Sequence, residues 1–562
     1  MDELQLFTER VDDLPLLAAM LDAMGIAEIV DDVLPRHGNW KGLSPGQLTV
    51  GWLMYVLSQG DHRLSLVEPW AQERIHTLSA LLGEEVRLKD FTDDRLGALL
   101  GKLGEDATWE AIEDRLNQHH LRVFLLPTEV VRLDATTASV YHDVEGRTLI
   151  GYGHSKDHRP DLAQVKVFVG ALDPMALPLV TQPLPGHWSD DPLYTPAIDR
   201  VRESLGAHRL LYVGDSKMEK RATRAHIVQG GDAYLLPLSQ KHQQGALLAA
   251  YVAQALADES QLEVLQVDDE GAWLLRGREW VRSQRCQEER MALTWEERVL
   301  VVQSRRLYEK QRNGVEQRLT HAEAKIRRLT PPLRRGVRSF RELAPLQKRV
   351  EDILRTHRVQ AFLKVTYYEE VISRPGKPAH KRYRVEVERQ ESALQAHYPT
   401  LGWRLYVTSA SKEELSMARA MRIYRQAPPT IEHLFSRFKG RPLGLRPLFL
   451  RREDRIKGLV RLLSLALRTL TLLEFVARRA LAEQKEALTG LYPSNPTKAT
   501  SRPTAERLLQ AFEGLHLTHI TLPGQRIQHL SPLSPLQNRI LQLLKFSPSI
   551  YTDLAHREPV PI

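Results

Sequence analysis

Apolar residues recur at three- and four-residue spacing from Leu14 to Met24 and from Pro45 to Leu57, with Gly, Pro and Asp breaks between them. That period predicts helices, and the reading holds to about residue 125. Ser44-Pro45 reads as a cap followed by a first helical turn. From about 126 the period shortens. Strand-like runs fall at Val130 to Leu133, Thr148 to Tyr152, Val165 to Leu172 and Leu179 to Gln182. Helix-like Tyr194 to Leu205 then leads into a strand at Arg209 to Val213, and a helix at Lys220 to Gln229 into a strand at Asp232 to Leu238. Strands followed by alternating helices and strands predict an α/β sheet with mixed pairing over 126–240.

Residues 241–410 break this alternation. A long charged stretch, Glu296 to Arg328, and a second, Leu346 to His357, read as helices separated by Pro331-Pro332, which favours a hairpin. Strand-like segments follow at Phe362 to Ile372, Lys381 to Val387 and Trp403 to Thr408, the first two linked by Arg374-Pro375-Gly376-Lys377-Pro378. This region is expected to be an insertion domain of mixed helix and strand. An independent partner-binding domain is the other reading. Residues 411–485 read as helical again, with Pro428-Pro429-Thr430 starting the helix that carries Glu432. Residues 486–505 read as a linker, and 486–562 as a whole as linker plus small helical tail.

Composition narrows the function classes. The chain of 562 residues has a formal net charge of +8 and room for several domains. Its mean hydropathy is -0.35 and its pI about 9.3, as for a soluble protein with a polyanionic partner. One cysteine, Cys286, excludes an intramolecular disulfide and any cysteine-based zinc cluster, and fits a reducing compartment. Met1-Asp2-Glu3-Leu4 lacks the features of a secretory signal. Arg461 and Arg468 interrupt the apolar run from Gly458 to Ala480, so a buried amphipathic helix is expected there and no membrane span. The expected location is the cytoplasm.

Three carboxylates stand out. Asp134 ends the run Val130-Val131-Arg132-Leu133, Asp215 ends Leu210-Leu211-Tyr212-Val213-Gly214, and Glu432 opens a helix-like stretch. From Arg422 to Arg461 the chain is strongly basic, with Glu432, Glu453 and Asp454 the only acids. Two strand-end acids joined by one from a distant helix can hold a pair of hard divalent cations about 4 Å apart. Each acid also has a structural reading. An Asp after apolar residues often caps a turn, and a Glu near a helix N-terminus is what the dipole alone selects. Glu432, Phe435 and Lys439 share one helical face, while Ile431, Leu434 and Phe438 form the anchoring one. His154 and His158 have metal-pair spacing, but Gly151, Gly153 and Pro160 argue against a helix there, so zinc is not expected. Trp273, Trp280 and Trp295 are read as buried, with base stacking the secondary reading.

Leu133-Asp134-Ala135-Thr136-Thr137 and the run Gly151 through Gln164, with Ser155-Lys156-Asp157-His158-Arg159-Pro160-Asp161-Leu162 at its centre, resemble DDE transposases of bacterial insertion sequences, specifically the insertion-sequence-4 superfamily. Val213-Gly214-Asp215-Ser216-Lys217-Met218 is similar to the second acidic motif of that family. Ile431-Glu432 through Lys439, with Arg446-Pro447 and Arg455-Ile456, resembles its third. The resemblance spans roughly residues 10 to 480. It implies an RNase H-like core in two parts, 126–240 and 411–485, interrupted by the insertion domain, behind an N-terminal helical domain (1–125) that binds DNA ends. By resemblance Asp134, Asp215 and Glu432 bind two Mg²⁺ or Mn²⁺ ions, and Lys439 contacts phosphate. Relatives place Tyr seven and Arg four residues before the glutamate. Here Arg425 and Pro428 hold those positions, so Tyr424 and Arg425 are the substitutes. Lys156 and Arg159 are further candidate DNA contacts, with Asp157 and Asp161 as competing partners.

The function implied is cut-and-paste transposition: metal-dependent hydrolysis at terminal inverted repeats, then strand transfer to target DNA, by a homodimer in a synaptic complex of a bacterial, nucleoid-associated protein. A stand-alone metal-dependent nuclease and a catalytically inert, transposase-derived DNA-binding protein are the competing readings.

Overall fold

The computed structural model describes residues 5–36, 41–206, 209–239, 243–288, 291–331, 340–374, 377–446, 448–522 and 525–556. Pro332, Pro375, Gly376 and Pro447, each part of a turn or motif read above, lie outside them, as do Met1 to Leu4. In chain order, β1 (Gln5–Arg10) precedes seven helices: α1 (Leu14–Ala23), α2 (Ile26–Val33), α3 (Pro45–Gln59), α4 (Val67–Gln72), α5 (Ile75–Leu82), α6 (Asp93–Leu103) and α7 (Asp106–Phe124). Next come β2 (Val130–Val140), β3 (Ala163–Leu172), β4 (Leu177–Pro185), α8 (Tyr194–Leu205), β5 (Leu211–Val213), α9 (Arg221–Gln229) and β6 (Ala233–Pro237). The central region holds α10 (Gln243–Ala257), β7 (Glu263–Val267), β8 (Trp273–Glu288), β9 (Met291–Ser304), α11 (Arg305–Arg327), α12 (Leu343–His357), β10 (Leu363–Arg374), β11 (Lys377–Arg389), α13 (Glu391–His397) and β12 (Trp403–Thr408). The chain ends with α14 (Met417–Lys439), α15 (Glu453–Gln484), α16 (Ala505–Gln510), β13 (His516–Leu522), β14 (Gln525–Leu530), α17 (Pro535–Leu543) and α18 (Ser549–Thr552).

Two compact units divide this mixed α/β chain: Met1–Tyr234 with Glu288–Leu293 and Ile423–Ile562, and Leu235–Gln287 with Thr294–Arg422. In the first, the strands run in the order β4-β3-β2-β5. β2 pairs antiparallel with β3, β3 antiparallel with β4, and β2 parallel with β5. β3 is buried along its whole length. The long α15 lies against β4, α3, α6 and α7, and almost every residue from Ile456 to Leu473 is buried. Each buried leucine there contributes about 1.5–3 kcal/mol. The two arginines within this run have acid partners: Arg461 pairs with Asp106, and Arg468 with the buried Glu113 at 3.4 Å. Helix α15 meets α6 so closely that a Cβ on Gly458 would stand 2.0 Å from the Leu100 carbonyl oxygen. Among the described residues no helix is long and apolar enough to cross a membrane.

In the second unit β12 pairs antiparallel with β6 and with β9. Helices α11 and α12 pack through Val315, Leu319, Ala322 and Ile326 against Leu346, Val350 and Leu354, with Leu363 and Val385 of the β10–β11 hairpin beneath.

Several elements differ from the pattern-based expectations, each for a local reason. Glu296 to Ser304 is strand, with α11 beginning at Arg305. Charged residues that suggested a helix are paired across strands: buried Glu297 with Arg282 at 2.6 Å, and Arg298 with Glu279 at 2.5 Å. Thr148 to Tyr152 is not a strand, only bridging at Gly151 to Gln164. The Glu453 carboxylate takes the N–H groups of Thr148 (3.0 Å) and Leu149 (2.8 Å) that a ladder would use. β2 continues to Val140, so Asp134 lies mid-strand and does not end one. α14 starts at Met417 and runs across Pro428-Pro429, so Glu432 sits inside the helix and the dipole argument lapses. The tail, expected to be helical, contains the β13–β14 hairpin, and β1 of the N-terminal region pairs with β13. Of the tryptophans, Trp295 is buried, while Trp273 and Trp280 are half-buried under Arg276 and Arg278.

Candidate active site

Parallel pairing of β2 and β5 joins Val130 to Leu211, Val131 to Tyr212 and Arg132 to Val213. Asp134 stands two residues beyond this pairing on β2, and Asp215 two residues past the end of β5, where the backbone is still extended (φ -84°, ψ -178°). The register therefore places both carboxylates at one level and on one face. β2 is buried along its length except at Asp134. Gly214 leaves room for the Met218 side chain, whose Sδ would lie 2.7 Å from a Cβ at this position. Asp215 Oδ1 accepts from the Lys217 N–H and from the Tyr194 hydroxyl, each at 2.9 Å.

Glu432 is exposed on α14, whose other face buries Ile431, Leu434, Phe435 and Phe438. Arg437, 4% exposed, locks this helix by pairing with Glu474 of α15 and with Glu506 of α16 at 2.7 and 2.8 Å. Arg132 ties β2 to the same helix. Its Nε and Nη2 hold the Asp173 carboxylate at 2.6 and 2.5 Å, and Nη2 also donates to the Ile423 carbonyl at 2.5 Å.

An open cleft of about 190 Å³ results, lined by Arg132, Leu133, Asp134, Val213, Gly214, Asp215, Tyr424, Ile431 and Glu432. All three acids singled out from the sequence border it, together with Tyr424. The remaining candidates are placed otherwise. Lys156 Nζ is 3.1 Å from Asp134 Oδ1 and 3.9 Å from Asp190 Oδ2, and it donates to the Ala135 carbonyl. Arg159 is held by Asp161 at 2.7 Å in its own loop. Lys439 pairs with the half-buried Asp157 at 2.8 Å, and Arg446 with the same carboxylate at 2.9 Å. Arg425 is exposed, one residue past Tyr424. His154 and His158 lie in non-helical backbone.

Sequence reasoning overlooked Asp190, which gathers three ammonium groups: Lys166 and Lys217 by direct pairing and Lys156 at 3.9 Å. A signal was available. Lys166 interrupts an apolar strand, and a buried lysine requires an acid. Burial pushes the Asp134 carboxyl up, and Asp215 adds to this, against the opposing pull of Lys156 and the Ala135 N–H. Burial would raise Asp190 too, but Lys166, Lys217 and Lys156 together hold it below the usual carboxylate range. Burial alone would lower Lys217. Asp190, Asp215 and Asp134 outweigh it and keep the group an ammonium. The Tyr194 hydroxyl is pushed far up by burial and then by Asp215 and Asp134, so it serves Asp215 as a neutral donor.

Carboxylate oxygens beside an open cleft are the donor type that Mg²⁺ or Mn²⁺ takes. Among the described residues no three His, Cys, Asp or Glu side chains are gathered closely enough to hold one ion. The donors fit a divalent cation in kind, and in this arrangement an ammonium already stands on Asp134.

Residues 6–113 match the family described as a domain of unknown function, DUF4277. The match ends before the first of the three acids. No curated protein matches the chain. Among solved structures, the chain is similar to a piggyBac transposase in a synaptic complex with hairpin DNA, with a TM-score of 0.35 and 7% identity, over 99% of this chain and 89% of that one.

Proposed function

We propose that the protein is a metal-dependent DNA strand-cleavage and strand-transfer enzyme of the DDE transposase type. The observation that carries this reading is the convergence of Asp134, Asp215 and Glu432 on one cleft from two adjacent parallel strands and a distant helix. Asp134 breaks the burial of a strand otherwise buried throughout, and it borders this cleft. The strand order, with two antiparallel pairs followed by a parallel one, supports an RNase H-like core. A pair of divalent ions, when bound, supplies activation of water or a 3′-hydroxyl and stabilisation of the leaving oxygen. The protein's own contribution is positioning. Tyr194 fixes Asp215, Arg132 fixes β2 against α14, and Arg437 fixes the turn of α14 next to Glu432. The positive net charge supports a nucleic-acid substrate, read as double-stranded DNA at the ends of a mobile element and brought together by two copies of the chain.

The test is incubation of purified protein with a linear duplex carrying the DNA that flanks its gene, in Mg²⁺ or Mn²⁺, beside Asp215→Ala. Cleavage at an element boundary that needs metal and is absent in the variant is the expected result. Binding without cleavage, unchanged by the variant, would overturn the proposal in favour of a DNA-binding role.

A further inference from the structure

Resting on that reading, we infer that Lys156 is the resident counter-ion of Asp134, which an incoming divalent cation must displace, and that Asp190 is the seat that receives it. The ammonium stands between two carboxylates, 3.1 Å from Asp134 Oδ1 and 3.9 Å from Asp190 Oδ2. Its backbone is pinned beside β2, the Lys156 N–H donating to Thr137 Oγ1 at 3.1 Å, so only the side chain has to swing. Lys166 pairs with Oδ1 of the Asp190 carboxylate and Lys217 with Oδ2, so the carboxylate is held in place. The local charges balance: Asp134, Asp190 and Asp215 face Lys156, Lys166 and Lys217. These three carboxylates are therefore compensated without ions. A cation on Asp134 at the present Lys156 position would place like charges within a few ångströms, a repulsion that water screens only in part. Binding of the ion and movement of Lys156 are therefore one event. Free protein binds metal weakly, and the freed ammonium becomes available to a phosphate at the cleft.

The experiment is Mn²⁺ binding to the full chain without DNA, read from the electron paramagnetic resonance signal of free Mn²⁺. It compares wild type with Lys156→Gln, Lys156→Met, Lys156→Arg, Asp190→Asn and Asp134→Asn. Removing the ammonium is expected to tighten Mn²⁺ binding by about tenfold or more in both neutral variants, and about tenfold is 1.4 kcal/mol. Lys156→Arg, which keeps the charge, binds no tighter than wild type. Asp190→Asn, which removes the second seat, binds more weakly. If both neutral variants bind no tighter than wild type while Asp134→Asn binds more weakly, the displacement is wrong and the metal-site reading stands. If Asp134→Asn changes nothing in any background, both fall.

Discussion

Replacing Arg132 by methionine keeps the aliphatic bulk of the side chain and removes three charge-assisted bonds, two to Asp173 and one to the Ile423 carbonyl. Both partners of the ion pair are shielded, with side-chain exposures of 4% and 10%. Asp173 would be left as a buried charge without its cation, a loss worth about 3–5 kcal/mol. The freed carbonyl on α14 adds about 1 kcal/mol. Allowing for water reaching Asp173, a local loss of about 3 kcal/mol is expected, or about a hundredfold in an opening equilibrium. Hydrogen exchange read by mass spectrometry on peptides covering β2 and residues 423–439 isolates this region. Both peptides should lose about two orders of magnitude of protection, while α11 and α12 keep theirs. Adding Asp173→Asn to Arg132→Met should restore part of the loss, giving a coupling of at least about 1.5 kcal/mol in a double-mutant cycle. Protection within threefold of wild type, or strictly additive effects, would refute the view that this pair fastens the strand of Asp134 to the helix of Glu432.

Burial raises the Asp13 carboxyl from 3.8 to about 7. The unfolded chain loses this proton first, so stability should fall by up to about 4 kcal/mol as pH rises from about 4 to 7, then level off. Asp13→Asn should flatten that segment of a plot of urea midpoint against pH. Gly458→Ala forces a methyl into the Leu100 carbonyl and should cost about 3 kcal/mol, seen as a lower Tm. Lys439→Met should lower thermal stability by leaving Asp157 with Arg446 as its remaining cation of the two, yet leave the salt dependence of DNA binding unchanged, because Lys439 is already engaged. A fall of about one in that slope would instead restore its phosphate contact.

Elements with strong local signals were legible from the sequence. The helix Tyr194–Leu205 ends at Gly206, which adopts the left-handed φ of 56° that closes helices. The strand Trp403–Thr408 is short, apolar and bounded by turn residues. The pairing of β1 with β13 was not legible, since no local pattern signals a ladder between the two ends of the chain. Glu297 and Arg298 misled because a charged residue looks solvent-facing until its cross-strand partner is known. At the site, residue identity came from motif context. The shared level of Asp134 and Asp215 depends on strand register, which a single sequence does not encode. Lys156 next to Asp134, and Asp190 next to Lys156, depend on a loop folding back over β2.

Asp134, Asp215 and Glu432 are proposed to act as one centre. The most direct test is the rate of metal-dependent cleavage of one duplex by the three single alanine variants and by the triple variant. Groups that work as a unit are non-additive. Each single variant is expected to fall to the same residual rate as the triple. Partial losses that multiply toward the triple, or a single variant that cleaves like wild type, would contradict this.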